Sequence, residues 1–320
     1  MMDLFQRPLA FAAWAALAAG AGAAPAADWS PRPGAGYVHA RTQEVRPAAD
    51  VLALAEEALK AGRRAEALEL FVLLSDTSED ESVRRAAYRL RSGEEFAIRR
   101  YASAYQTCEA YLTRYPQAED LPDMIRRELE CARLMSEYGT EERAVGIFTY
   151  RTSRPGIDLL RKILERYPYE EFSDDYHYVL AELLFRISDL DGAGTEFELL
   201  MKNYPQSEWT PASLYQLALI ALSRFDAAPY DGRPLIEARK RLRSYVETYP
   251  SGPQIELVRR KTRDLDELEA DRAFRIAEYY ADQGRPASAR YYYTLIASLY
   301  PDTFWGSESA LRIRARGSGR

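Results

Sequence analysis

Three observations on the sequence predict an all-α fold of about six stacked helix hairpins. Apolar residues recur at helical spacing almost without a break from Asp50 onward. The dipeptide Tyr-Pro recurs five times, at Tyr115-Pro116, Tyr167-Pro168, Tyr204-Pro205, Tyr249-Pro250 and Tyr300-Pro301. Small and aromatic residues keep fixed offsets ahead of two of these prolines. Proline has no backbone N–H and pushes the residue before it out of the α region, so each Tyr-Pro closes a helix.

The offsets decide which repeat this is. Before Pro205, Ala181 and Ala193 lie 12 residues apart, with Phe197 four further on and Pro205 eight beyond that. Ala277, Ala289, Tyr293 and Pro301 reproduce the same spacing, with Tyr280 and Gly284 also where the repeat requires them. Ala55, Gly62, Ala67 and Phe71 repeat it without the proline. A small residue on each helix lets two helices approach closely, and the aromatic fills the groove between them. The pattern is that of a tetratricopeptide-repeat α-solenoid; the prolines stand 52, 37, 45 and 51 residues apart, wide enough for repeats carrying insertions.

In chain order, residues 1–26 read as a secretory signal peptide. Arg7 closes a short basic region, Leu9 to Ala24 is an Ala-rich apolar run, and Ala24-Pro25-Ala26 offers small residues for cleavage. No cysteine ends that run, so a lipid thioether has no attachment point there, and a soluble mature protein is expected. Residues 27–48, with Pro31, Pro33, Gly34, Gly36 and Pro47, read as a flexible tether. Helix pairs are then expected at 50–61 with 64–75, 81–98 with 101–115, 120–138 with 156–167, 173–187 with 191–204, and 209–223 with 235–249. A long helix over 254–283 pairs with 286–300, and a last short helix starts near 305. Gly139 to Pro155 and Phe225 to Pro234 are too long for simple turns and read as surface loops. Residues 49–155 thus form an N-terminal helical-repeat extension, 156–316 the main repeats and 317–320 a tail.

Composition narrows the function. The 320 residues carry a net charge of −6, which lacks the basic excess that nucleic-acid binding needs. Twenty-three Tyr and 11 Phe exclude general disorder. Two Cys and two His rule out the usual zinc sites and a disulfide framework. No nucleophile, acid/base or metal constellation is present, so no enzyme activity, catalytic residue or cofactor is expected.

A few residues carry two readings each. Asp174, Asp175 and His177 are a weak metal cluster, or two acids favouring the dipole at a helix start. His39 lies in the tether with no evident role. Cys108 and Cys131 lie nearly symmetrically about a turn between consecutive helices, where they would form a disulfide or stand as buried thiols, Cys108 taking the aromatic position of its repeat. Tyr279, Tyr291 and Tyr292 are candidates for a partner-binding face, with half-buried packing as the alternative, whereas Tyr293 belongs to the core. Arg312, Arg314, Arg316 and Arg320 form a basic C-terminal end, read as a solvated tail.

The run through Asp231, Gly232 and Pro234, then Glu237-Ala238-Arg239 and Tyr249-Pro250-Ser251, leads into Arg272-Ala273-Phe274-Arg275-Ile276-Ala277-Glu278-Tyr279-Tyr280 and closes on Tyr300-Pro301-Asp302-Thr303. On these residues the segment from about 156 to 305 resembles the BamD family, the tetratricopeptide component of the outer-membrane β-barrel assembly machinery. The resemblance implies a non-enzymatic periplasmic scaffold at the inner face of the outer membrane. It would dock the soluble domains of the barrel insertase, receive unfolded outer-membrane proteins, and meet the membrane peripherally or through partners. Three features depart from the family: the missing lipid-accepting cysteine, a chain that stops after the first helix of a fifth repeat, and the extra hairpins of 50–150. A tetratricopeptide adaptor of another envelope system, of the Tol-associated cell-division type, is the alternative.

Overall fold

The computed structural model describes residues 28–143, 149–227 and 232–317. The predicted signal peptide, Asp231 and residues 318–320 of the tail lie outside them. The chain divides into two compact units, residues 1–163 and 164–320.

The first unit opens with β1 (Trp29–Arg32), β2 (Gly36–His39) and β3 (Val45–Arg46). It continues with α1 (Ala48–Lys60), α2 (Arg64–Thr77), α3 (Glu81–Ala97), α4 (Tyr101–Arg114) and α5 (Leu121–Tyr138). The hairpin β4 (Thr140–Arg143) and β5 (Thr149–Thr152) and most of α6 (Arg154–Arg166) complete it. The second unit holds α7 (Ser173–Arg186), α8 (Leu190–Asn203), α9 (Thr210–Ala227), α10 (Arg233–Thr248), α11 (Ile255–Asp282), α12 (Pro286–Leu299) and α13 (Phe304–Gly317). Successive helices pack as antiparallel pairs, α1 with α2, α3 with α4, α7 with α8, α9 with α10 and α11 with α12. Each unit is therefore a stack of tetratricopeptide hairpins, and the fold is all-α in its core.

The repeat positions do in space what their spacing predicts. Ala55, Ala67 and Phe71, then Ala181, Ala193 and Phe197, then Ala277, Ala289 and Tyr293 are all buried. The hairpin turns are built alike. Gly62, Arg99, Ser188 and Gly284 each stand two residues past a helix end with φ between 63° and 80°. In each turn the following N–H reaches a carbonyl five residues back, as Arg63 does to Ala58 (2.8 Å), Arg100 to Glu95 (2.8 Å), Asp189 to Leu184 (2.9 Å) and Arg285 to Tyr280 (2.9 Å). This is the Schellman closure, and it needs a left-handed residue that glycine provides without a Cβ clash. Arg99 and Ser188 occupy the same conformation with a side chain.

The Tyr-Pro ends also share a geometry. Tyr115, Tyr204, Tyr249 and Tyr300 cap their helices with φ from −123° to −129° and ψ from 50° to 62°. The tyrosine carbonyl then accepts from the N–H three residues on, at Ala118, Ser207, Gly252 and Thr303 (2.9–3.2 Å). Two ends add a hydroxyl six residues on, Ser173 donating to the Tyr167 carbonyl (3.0 Å) and Thr210 to that of Tyr204 (3.2 Å). Helix-end carbonyls that have lost their intrahelical donors are thereby satisfied.

The structure corrects two segments. The predicted tether is a three-stranded antiparallel sheet over 29–46, in the order β1-β2-β3. Its prolines and glycines occupy turn and close-contact positions: Gly34 has φ +69°, and a Cβ on Gly36 would collide with the Arg46 carbonyl. Tyr37 is 2% exposed within the α1–α2 core, and its hydroxyl meets the Thr77 hydroxyl at 3.0 Å. The predicted loop from Gly139 to Pro155 contains the β4–β5 hairpin, with Thr140 opposite Thr152 and Arg143 opposite Thr149. Beyond it, α6 approaches α5 so closely that a Cβ on Gly156 would lie 2.5 Å from the Ser136 nitrogen and would also strike the Ala132 carbonyl.

Two substitutions test these contacts by urea unfolding. Ser188→Gly removes a left-handed side chain and is expected to stabilise the protein by about 0.5–1 kcal/mol. Gly156→Ala is expected to cost about 1–3 kcal/mol, because the α5 backbone must move.

Candidate partner-binding surface

The α11–α12 hairpin of the second unit carries a cluster of tyrosines with exposed members. Ala277 and Ala289 bring the two helices together over a core that includes Phe274, Tyr293 and Ile296, with Trp305 of α13 against it. Phe274 lies 5.5 Å from Tyr293 and 4.7 Å from Trp305, ring centre to ring centre. On the outside the remaining tyrosines form a continuous ladder. Tyr279 meets Tyr280 edge-on at 5.8 Å, Tyr280 stacks on Tyr292 at 5.5 Å with 13° between the planes, and Tyr292 meets Tyr291 edge-on at 5.6 Å. The two ends of the ladder are open, Tyr279 at 60% and Tyr291 at 63% exposure. Tyr292 is the half-buried stacked rung.

Hydroxyl bonding separates these tyrosines from the structural ones. Tyr293 donates to Glu278, Tyr300 to Glu269 (2.8 Å), Tyr245 to Gln254 (2.9 Å) and Tyr115 to Glu81 (2.6 Å). Burial, with the Glu269 hydrogen bond adding to it, pushes the Tyr300 hydroxyl up to about 12, so it remains a donor at neutral pH. Among the described residues, the hydroxyls of Tyr279, Tyr280, Tyr291 and Tyr292 have no protein hydrogen-bond partner. Arg285 and Arg290, both exposed on the same hairpin, have no ion partner among the described residues. Neighbouring Arg275 is held by Asp271 (3.0 Å), and Arg312 by Glu278 (3.2 Å) and Glu308 (3.0 Å). A rigid aromatic ladder beside two uncommitted guanidinium groups has the composition of an interface hot spot.

The other sequence candidates are not brought together into a site. Asp175 accepts from the indole N–H of Trp209 (2.7 Å), whereas His177 turns inward and its Nδ1 lies 2.9 Å from Glu196. No group of three His, Cys, Asp or Glu side chains is arranged to hold a metal among the described residues. His39 has a local role after all: its Nδ1 accepts from the Thr42 N–H (3.2 Å) and its ring stands edge-on to Trp29 at 4.9 Å. Cys108 and Cys131 are free thiols, both fully buried. Cys108 follows Ala104 by four residues, as Phe197 follows Ala193, and so fills the aromatic position of its repeat. Burial pushes the Cys108 thiol up to about 12 and raises Cys131 in the same direction, leaving neither as a thiolate nucleophile. The basic end is helical rather than a free tail: α13 runs to Gly317, and Arg312 joins it to α11. Arg320 lies outside the described residues.

The family model described as an outer membrane lipoprotein, YfiO, matches residues 148–316. The chain belongs to this family. The whole tyrosine ladder lies inside the matched segment, and α1 to α5 lie before it. No curated protein matches the chain. Among solved structures, MamA of RS-1, as the ArsTM double mutant, is 12% identical, with 62% of this chain and 95% of that one covered and a TM-score of 0.35. A thermophilic TPR protein of Thermus thermophilus is 15% identical, covers 68% and 98%, and has a TM-score of 0.31. A tetratricopeptide repeat protein of Parabacteroides merdae is 9% identical, covers 79% and 93%, and has a TM-score of 0.35. Family and fold together make the chain a tetratricopeptide-type scaffold of outer-membrane assembly. Among the described residues no helix is long and apolar enough to cross a membrane.

Tyr293→Ala is expected to cost about 3–5 kcal/mol in urea unfolding, whereas Tyr291→Ala stays within about 0.5 kcal/mol of the parent. Thiol titration at pH 8 is expected to detect no reactive cysteine in the folded protein and two per chain in denaturant.

Proposed function

We propose that this protein is a non-enzymatic periplasmic scaffold, held at the inner face of the outer membrane, that binds partner proteins during β-barrel assembly. The barrel insertase's soluble domains and unfolded outer-membrane proteins are the partners, and Tyr279, Tyr291 and Tyr292 carry the docking. The observation behind this reading is the open tyrosine ladder within the family-matched segment. Its ends are exposed, its hydroxyls are uncommitted and it is fixed on a packed hairpin. Aromatic side chains fixed in this way lose little conformational entropy on binding. Arg285 and Arg290 favour an acidic rim on the partner. Export rests on the leader at residues 1–26, and residues 49–155 serve as an added binding module ahead of the family segment.

Photocrosslinking in intact cell envelopes tests the reading, with a benzophenone amino acid at position 279 or 291. The expected product joins this chain to a protein with an outer-membrane barrel and soluble domains. Products with Tol–Pal components or peptidoglycan enzymes instead would overturn it in favour of an adaptor of another envelope system. With the partner in hand, Tyr291→Ala is expected to weaken binding at least tenfold.

A further inference from the structure

The part of the first unit that precedes the family-matched segment contains a surface that its own chain leaves unfilled. Helix α2 has two apolar faces. Ala67, Leu70, Phe71 and Leu74 are buried against the first unit's core. At 100° per residue, Ala65, Leu68 and Val72 lie on the opposite side, and there they floor a groove of about 800 Å³. Trp29 of β1 and Ile98, after α3, also line it. The groove follows the 14 residues of α2, roughly 20 Å at 1.5 Å per residue. That is the length of about four turns of a second helix.

Of its charged lining residues, Arg64, Glu69, Asp76, Glu94 and Arg100, two have no ion partner among the described residues: Arg100, which is exposed, and Glu69, which is half-buried. Glu94 has Arg64 at 3.9 Å, and Asp76 at the far end is held by Arg91 at 3.0 Å. Glu69, in the middle of the apolar floor, has no cation partner among the described residues. Burial, with the nearby Glu66 charge adding to it, holds its carboxyl above the usual carboxylate range. Apolar residues at i, i+3 and i+7 form the kind of ridge that receives a helix, since ridges at this spacing interdigitate with those of a neighbour. A half-desolvated carboxylate in such a seam is matched by a cation brought with the incoming helix.

We infer that the open face of α2 is a docking groove for an amphipathic helix of a partner protein. That helix carries a Lys or Arg within its apolar stripe, opposite Glu69. The groove belongs to the first unit and the tyrosine ladder to the second, and the inference goes beyond the function proposed for the ladder.

The full chain is titrated calorimetrically with two 14-residue amphipathic peptides, one of Leu and Lys and one of Leu and Glu, and with decanoate to represent an acyl chain. Amide hydrogen exchange locates each complex. The Leu/Lys peptide is expected to bind at least tenfold tighter than the Leu/Glu peptide and to protect residues 64–77. Glu69→Lys is expected to reverse that order, and Leu68→Asp to weaken binding at least tenfold with the circular-dichroism melt unchanged. Tyr291→Ala is expected to leave binding as it is. Equal affinity for the two peptides, protection elsewhere in the chain, or an unchanged order in Glu69→Lys would overturn the inference. So would protection of 64–77 by decanoate and by neither peptide, which would assign the groove to a lipid chain. Should Leu68→Asp unfold the protein, Glu69→Lys alone carries the test.

Discussion

Close approach of paired helices at alanine is the constraint on which the rest of this structure depends. Packed helix axes lie about 8–10 Å apart, and the near end of that range needs small side chains at the crossing. Ala55 with Ala67, Ala181 with Ala193 and Ala277 with Ala289 supply that condition, and all six are fully buried. The aromatic four residues after each second alanine can then reach across and fill the remaining space. The tyrosine ladder inherits the same spacing, because Tyr280 on α11 and Tyr292 on α12 stack only if their helices are this near. A larger residue at Ala289 would therefore disturb the surface as well as the core.

The helix ends show a second kind of economy. A stack of short helices exposes many terminal carbonyls and N–H groups, and each would carry a desolvation cost if buried without a partner. The Schellman turns settle one end of several hairpins, and the Tyr-Pro turns settle the other. In both places the chain meets backbone demands with local atoms, so the long side chains remain free for contacts between helices. Arginine uses that freedom widely: Arg91, Arg114, Arg127 and Arg239 all reach groups on another helix.

Much of this was legible in the residues, for physical reasons that also mark where legibility stops. Ala181, Ala193 and Phe197 report their neighbours through spacing, because one helical period fixes which side chains share a face. The sheet at 29–46 has strands of two to four residues, too short for any period, and the glycines that looked like flexibility have fixed places, Gly34 at a positive φ and Gly36 in close approach to Arg46. The β4–β5 hairpin was hidden for the same reason. The ladder was half visible: Tyr279, Tyr291 and Tyr292 stood out as candidates, but the stack that joins the two pairs depends on a pairing between helices. The groove on α2 left almost no trace, since a helix apolar on both sides shows little amphipathicity, and only the fold distinguishes the filled face from the empty one.

The N-terminal sheet has a consequence for how the first unit behaves as an array. In a repeat protein each module leans on its neighbours, so the terminal module has one side with nothing to lean on, and unfolding starts there. Here β2 buries Tyr37 in the same cluster as Val51 and Phe71, within the first hairpin of the described residues. The sheet thus acts as an end-cap against fraying. Its strands are too few to be stable alone. Cap and first hairpin should accordingly open and close as one cooperative element, which makes the entry to the stack an all-or-none step.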